Sequence, residues 1–300
     1  MAGHVCADRG RRPCDGEKRA VPEEHAHFVS SPPAEIRAAI RSGVFRAQTA
    51  GLAPGFLQAN LVVLPERHAL DFLRHCQRNP EPCPLVGVSD TGDPAIPTLG
   101  ADIDIRTDVP AYNVYRYGRL EACVPDIRDL WAPDMVAFAL GCSFTFEHAL
   151  LRAGVRLWHI DHGTTVPMFR TRIETVPAGP FRGRMVVSMR AIDADRVDTA
   201  IAVSRRFPLA HGAPVHVGDP SRIGITGLAR PDWGDPAPVG PDQVPVFWAC
   251  GVTPQEALEA ARLPLCITHK PGHMLITDIP EDAEVPVMAP SVFLEAGAVS

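Results

Sequence analysis

The chain has no apolar run approaching the roughly 18 residues that a membrane-spanning helix needs. It has no excess of positive charge either. Net charge is −6 and the isoelectric point near 6.0, so a nucleic-acid footprint is not expected. Residues 1–30 carry Arg9, Arg11 and Arg12 but lack the apolar stretch of a secretory signal. The eight cysteines are scattered and form no CxxC pair. That pattern suits reduced thiols in the cytoplasm better than a disulfide framework. What the chain does have is 31 prolines and 24 glycines, which predict many short elements joined by turns. Hydrophobic and charged fractions of 46% and 21% are ordinary for a globular protein.

One stretch, Val244 to Asp278, orders the reading of the rest. Val244–Ala249 is a β-forming apolar run expected to be a buried strand. Thr253, Pro254 and Glu256 have the pattern of a capped helix start, and Pro264 closes that helix before a second strand at Leu265–Thr268. A strand–helix–strand unit of this kind predicts parallel strands in one sheet, with Cys250-Gly251 and Thr268-His269 at their carboxyl ends. Ligands bind at that edge in open α/β sheets.

Elsewhere, Glu66–Arg78 has the spacing of a helix with one buried face, preceded by a strand at Ala59–Leu64. Asp102, Asp104 and Arg106 would share one face of an extended segment at Ile103–Val109, and Tyr112–Arg116 with Arg119–Val124 read as a hairpin. Met135–Leu140 is strand or helix. It leads through Gly141-Cys142-Ser143 into a helix at Phe144–Ala153, a setting that lowers a thiol pKa, with Glu147 one turn in. Val155–Ile160, Val166–Arg170 and Met185–Arg190 read as strands and Asp193–Phe207 as a helix; His211, His216 and Asp219 fall in a Gly/Pro-rich loop. Residues 1–30, with His4, Cys6, Cys14, His25 and His27 in no zinc spacing, read as a mobile tail.

The segments QANLVVLP, FLRHCQRNPEPCPL, DIDIRTDVPAYNVYRYG, GCSFTFEHAL, VPMFRT, GRMVVSMR, HGAPVHVGDP, PVFWACGVTPQ and THKPGHMLITD together resemble the hydro-lyase family that includes the D-glutamate cyclases. The resemblance runs from about Ser31 to Asp278; Phe169 replaces a usual Tyr and Lys270 a usual Ala. It implies a two-part α/β fold with a smaller α+β portion; the expected bounds are a larger three-layer α/β domain at 31–125 with 206–280 and a smaller α+β domain at 126–205, with tails at 1–30 and 281–300 outside the resemblance. It also implies loss of water from a small amino or hydroxy carboxylic acid, with D-glutamate giving 5-oxo-D-proline as the candidate case.

That chemistry needs donors on a carboxylate, a base for the ammonium and an acid for the departing oxygen. Candidate catalytic residues are Cys142, Glu147, His211, His216, Asp219, Cys250, His269 and His273, and candidate substrate contacts are Asp104, Arg106, Arg170, Ser143, Gly251 and Thr253. Cys142, Cys250, His211, His216 and His269 are expected around one cavity. No cofactor or metal is called for, and the expected partner is a small carboxylic acid, with no nucleic acid or membrane; a homo-oligomer stays open. Two other classes stay open as well: a small-carboxylate binding protein without catalysis, and a cysteine-dependent amide or acyl hydrolase acting through Cys142.

Overall fold

A computed structural model describes residues 23–284. Eleven strands form two antiparallel sheets. The seven-stranded sheet contains β1 (Phe56–Pro65), β2 (Leu85–Val88), β3 (Tyr112–Arg116), β4 (Arg119–Val124), β5 (Met135–Gly141), β10 (Cys266–His269) and β11 (Leu275–Pro280). The four-stranded sheet runs β6 (Met168–Glu174), β7 (Arg184–Asp193), β9 (Gln243–Ala249), β8 (His216–Val217). Six α-helices accompany them: α1 (Pro33–Arg41), α2 (Glu66–Arg78), α3 (Phe144–Arg152), α4 (Trp158–Asp161), α5 (Val197–Ser204) and α6 (Thr253–Ala261). No helix among the described residues is long and apolar enough to cross a membrane.

β1 is the axis of the larger sheet because FLQANLVVLP is buried on both of its faces. Leu57, Ala59, Leu61 and Val63 point to one side, where the turn-rich segment 96–127 covers them through Ile96, Leu99, Ile103, Ile105, Val109 and Ile127. Val62 and Leu64 point to the other, against Phe72 and Cys76 of α2 and Ala257 and Leu258 of α6. A strand buried on two faces has no alternation to reveal. The smaller sheet packs Val246 and Trp248 against α3 and α5, and Phe247 and Val187 against Ile223, Ile225 and Ala237.

Several expectations change. β9 and β10 do not lie parallel in one sheet; every strand pairing is antiparallel, and α6 carries the chain from the smaller sheet to the larger. The right-handed crossover rule holds for strands returning to the same sheet, and here they do not. β5 joins the larger sheet and β9 the smaller. Ile103–Val109 is a series of turns, not an extended strand: Asp104 chelates the Arg106 guanidinium at 2.9 and 2.8 Å, while Asp102 and Asp278 hold Arg37. Trp158–Asp161 is a helical turn where a strand was expected, and the helix expected over Asp193–Phe207 is regular only at Val197–Ser204. Glu23–Ser30, within the expected tail, forms a 3-10 helix that buries Phe28 in a cluster with Ile36, Ile40 and Phe45, and residues 1–22 lie outside the described residues. His4, Cys6 and Cys14 lie outside the described residues, as does 285–300.

Candidate active site

β10 and β11 run one after the other along the same edge of β1. β10 pairs with Val62 and Val63, and β11 with Phe56, Gln58 and Ala59. Between them Lys270–Met274 leaves the sheet, so on this edge alone β1 loses its strand partner at Asn60 and Leu61. His269 fills part of that break: its Nδ1 accepts the Leu61 N–H at 3.1 Å. Its Nε2 is buried without a hydrogen-bond partner. The outgoing loop is fastened by Thr49, whose N–H donates to the Gly272 carbonyl at 2.9 Å and whose Oγ1 accepts from Met274 N–H at 3.0 Å.

On the opposite edge of β1 the strand β5 ends at Gly141, and Cys142 N–H donates to the Gln58 carbonyl at 3.0 Å. Asn60 donates from Nδ2 to the Gly141 carbonyl at 2.8 Å. A Cβ on Gly251 would stand 2.1 Å from that same Nδ2, so the turn from β9 into α6 rests directly on Asn60. Three chain turns, at Gly141, Gly251 and His269, thus meet at Asn60–Leu61. Cys142 and Cys250 share an apolar cluster with Val186 and Met274. Gly251→Ala is therefore expected to cost about 1–3 kcal/mol by pushing Asn60 off the Gly141 carbonyl. Adding Asn60→Ala should recover part of that loss, measured as the shift of the urea midpoint.

Behind the cysteine turn lies a buried ionic group. Glu147 Oε1 accepts from Arg190 Nη2 at 2.5 Å and Nε at 3.2 Å, and contacts His159 Nε2 at 2.8 Å. Arg190 also reaches Ser143 Oγ at 3.1 Å and Ser188 Oγ at 3.0 Å, and stacks over Phe146 and Trp248 at 5.3 Å. Burial alone would push the Glu147 carboxyl up, but His159 and Arg190 outweigh it and hold the pKa at about 2. Burial pushes the thiols the other way, Cys142 to about 12 and Cys250 to about 11, despite helping N–H groups from Phe144 and Val252. The expectation of a lowered thiol pKa at the Cys142 turn is therefore overturned: desolvation exceeds the effect of the helix start.

His211 stands at the other side of β5. It has φ of 76°, and its Nδ1 meets the Glu81 carbonyl at 2.7 Å while Nε2 is buried without a partner. Leu209, two residues before it, packs in the same cluster as Ile267, two residues before His269. Burial lowers His211, His269 and His273 to about 4, so all three rings are neutral at pH 7.

The D-glutamate cyclase family model matches residues 136–278, from β5 to β11. A protein of Dinoroseobacter shibae named “Putative hydro-lyase” is 72% identical over 259 residues, covering 86% of each chain. A hydro-lyase so named from Ruegeria pomeroyi is 70% identical over 255 residues, 85% of this chain and 93% of that one. The chain belongs to the hydro-lyase family that includes the D-glutamate cyclases. The family match takes in Cys142, Glu147, Arg190, His211, Cys250 and His269, while Asn60 lies before it.

Not every candidate residue reaches this place. His216 packs against Phe247 on the outer face of the smaller sheet, opposite the face of Trp248 and Arg190. It is bonded to the Asp219 backbone carbonyl at 2.8 Å, and the Asp219 side chain caps Ser221. Arg170 is held by Glu256 and Asp232 and lies over Trp233, and Arg106 is taken by Asp104. Thr253 does not cap α6; its hydroxyl accepts from Val186 N–H at 3.0 Å. Among the described residues no group of three or more His, Cys, Asp or Glu is arranged to hold a metal ion. Three residues were missed by sequence reasoning: Asn60, His159 and Arg190. Arg190 had a signal, a charge within the apolar run MVVSMRAI, which a doubly buried strand tolerates only beside a carboxylate.

Proposed function

We propose that the protein is a hydro-lyase that closes D-glutamate to 5-oxo-D-proline and water at the break beside β1. The observation that carries this is two buried histidines, each with an unpartnered Nε2, on turns whose neighbours Leu209 and Ile267 share one apolar cluster. A carbonyl only accepts, so His211 Nδ1 donates to Glu81 and its Nε2 keeps a lone pair. His269 Nδ1 lies 3.1 Å from the Leu61 N–H and 3.4 Å from the Leu61 carbonyl; the shorter contact sets the tautomer, in which Nδ1 accepts and Nε2 carries the proton. His211 Nε2 is then the base that relays the ammonium's protons to the departing oxygen, and neutral His269 donates a hydrogen bond from Nε2–H to that oxygen. As the amine nitrogen attacks the γ-carboxyl carbon, the C–N bond forms and a C–O bond breaks. The ammonium gives up two protons, and the departing oxygen takes two and leaves as water. Arg190, occupied by Glu147 and Ser143, positions the Cys142–Ser143 turn and does not hold substrate. A cysteine-dependent hydrolase fits less well, since the Cys142 thiol is held protonated at pH 7.

The test is an NMR time course with D-glutamate and, separately, L-glutamate. Formation of 5-oxo-D-proline above the enzyme-free rate supports the reading; a folded sample giving none removes this substrate. Asparagine suits both histidine positions, because its amide keeps the bond to Glu81 or Leu61 and lacks Nε2. It also tolerates the left-handed backbone at 211. His211→Asn and His269→Asn are each expected to lower kcat by about 10²–10⁴ with little change in Tm. Equal loss of Tm and activity would make these rings structural.

A further inference from the structure

Besides its pair with Glu147, Arg190 makes two contacts to hydroxyls. Nη2 donates to Ser143 Oγ at 3.1 Å and Nη1 to Ser188 Oγ at 3.0 Å. A guanidinium only donates, so both serines accept from it and each still has its own proton to give. Neither proton meets an acceptor among the described residues, and Ser143 does not cap α3. Yet the two residues are only 4 and 0% exposed. Buried donors are nearly always matched, so two unmatched ones on a single guanidinium call for a guest that accepts.

The packing around the serines places that guest. Ser188 pairs across the sheet with Met168 on one side and Trp248 on the other. Met168 belongs to the cluster of Cys142, Cys250 and Met274, and Trp248 to that of Phe146 and Ala210. Ser143 bridges the same two clusters along the chain, between Cys142 and Phe146. The hydroxyls therefore mark a polar seam. At one end lies the turn of His211, since Ala210 packs in the second cluster and a Cβ on Gly141 would overlap the Leu209 carbonyl. Burial is the main cause that lowers the His211 pKa, and the Arg190 charge reaches the ring and adds to it. Toward the other end lies Met274, in the loop that follows His269.

We propose that Ser143 and Ser188 are a catalytic donor pair that holds the retained oxygen of the γ-carboxyl group as it becomes a tetrahedral oxyanion. As the C–N bond forms, the C–O π electrons move onto that oxygen, which accepts both O–H groups; neither serine gives up its proton. When the bond to the departing oxygen breaks, the electrons return to form the carbonyl and the grip loosens. With its charge balanced by Glu147, Arg190 polarises both hydroxyls without drawing in a ground-state carboxylate. For the reaction this rests on the hydro-lyase reading, and the experiment separates the two.

Turnover of D-glutamate and binding of two tetrahedral anions are measured on the full chain, for the native protein and for Ser143→Ala, Ser188→Ala and Ser188→Thr. The anions are methylphosphonate and the phosphonate analogue of D-glutamate, followed by phosphorus NMR. Each alanine variant should lower kcat about 10²–10³-fold, the loss for one oxyanion donor, with KM within about threefold. Each should also weaken both anions about tenfold or more, the size of one charge-assisted hydrogen bond. Ser188→Thr keeps the hydroxyl and should restore most of both. Unchanged anion affinity in the alanine variants, losses at Ser188 that threonine does not restore, or binding of neither anion by the native protein would each overturn the proposal. Unchanged kcat in the alanine variants would overturn it while keeping the hydro-lyase reading. Serine-dependent binding of methylphosphonate without turnover of D-glutamate would instead keep the donor pair and withdraw that substrate.

Discussion

Glu147→Gln is expected to lower the unfolding free energy by about 3–5 kcal/mol, read from urea denaturation with linear extrapolation. Glu147, Arg190 and His159 are 2, 2 and 4% exposed. Arg190 cannot shed its charge, so removing the carboxylate charge leaves a cation in the interior that keeps only neutral partners. Glutamine preserves the shape, which separates loss of charge from loss of packing. The control is Glu147→Leu combined with Arg190→Met. With both members of the Glu147–Arg190 pair replaced, the double variant should be less destabilised than the single one, because a hydrophobic replacement of a buried pair is often close to neutral. A single-variant loss under about 1 kcal/mol, typical of an exposed pair, would show that Arg190 is charge-balanced by something other than Glu147. Because Arg190 also holds Ser143, the single variant should lose activity through displacement of the Cys142–Ser143 turn.

The second large effect is on acid stability. Burial lowers the folded-state pKa of His75, His211, His269 and His273 to about 4. In the unfolded chain each returns to about 6.5. Between these values the unfolded state binds more protons, so stability is complete above pH 6.5 and falls as the pH drops toward 4. At pH 5 the loss is about 2 kcal/mol per histidine, and for four of them the sum rivals the whole stability of a typical domain. Glu147 adds to the same direction at lower pH, since its stabilisation is present above about 4.5 and is lost as the pH falls toward 2. The urea midpoint should therefore drop steeply from pH 6.5 to 4. His211→Asn and His269→Asn should each flatten the slope by up to one proton. A midpoint constant over that range would mean that these rings are hydrated and free to protonate.

Much of the secondary structure was legible because it rests on local chemistry. Glu66–Arg78 was found to the residue, since its apolar positions recur at helical spacing and Asn79-Pro80 stops it. The hairpin at 112–124 was legible from β-formers on either side of Tyr117-Gly118, where both residues take positive φ. The errors have one common cause. Val155–Ile160 and Ile103–Val109 have β-branched composition, but composition states only that a segment will be buried, not against what. The capping pattern at Thr253 was real as a motif, yet Val186 competed for the hydroxyl and took it.

The candidate site divides the same way. The sequence by itself determined which reactive side chains fall on tight turns: Gly141-Cys142-Ser143, Cys250-Gly251 and Thr268-His269 are set by glycine, proline and the ends of apolar runs. It also determined the family, through motifs that need no coordinates. Only the tertiary structure decided that these turns meet, and it did so through β1. Both β5 and β10 pair antiparallel with that strand, which brings their carboxyl ends to the same two residues, and α6 arrives from the other sheet. Pairing across 208 residues, as between Leu61 and His269, leaves no local trace in either segment. Burial then assigned the chemistry: the same desolvation that raises the thiols of Cys142 and Cys250 keeps His211 and His269 neutral, and that depends on what packs around each group rather than on its neighbours in the chain.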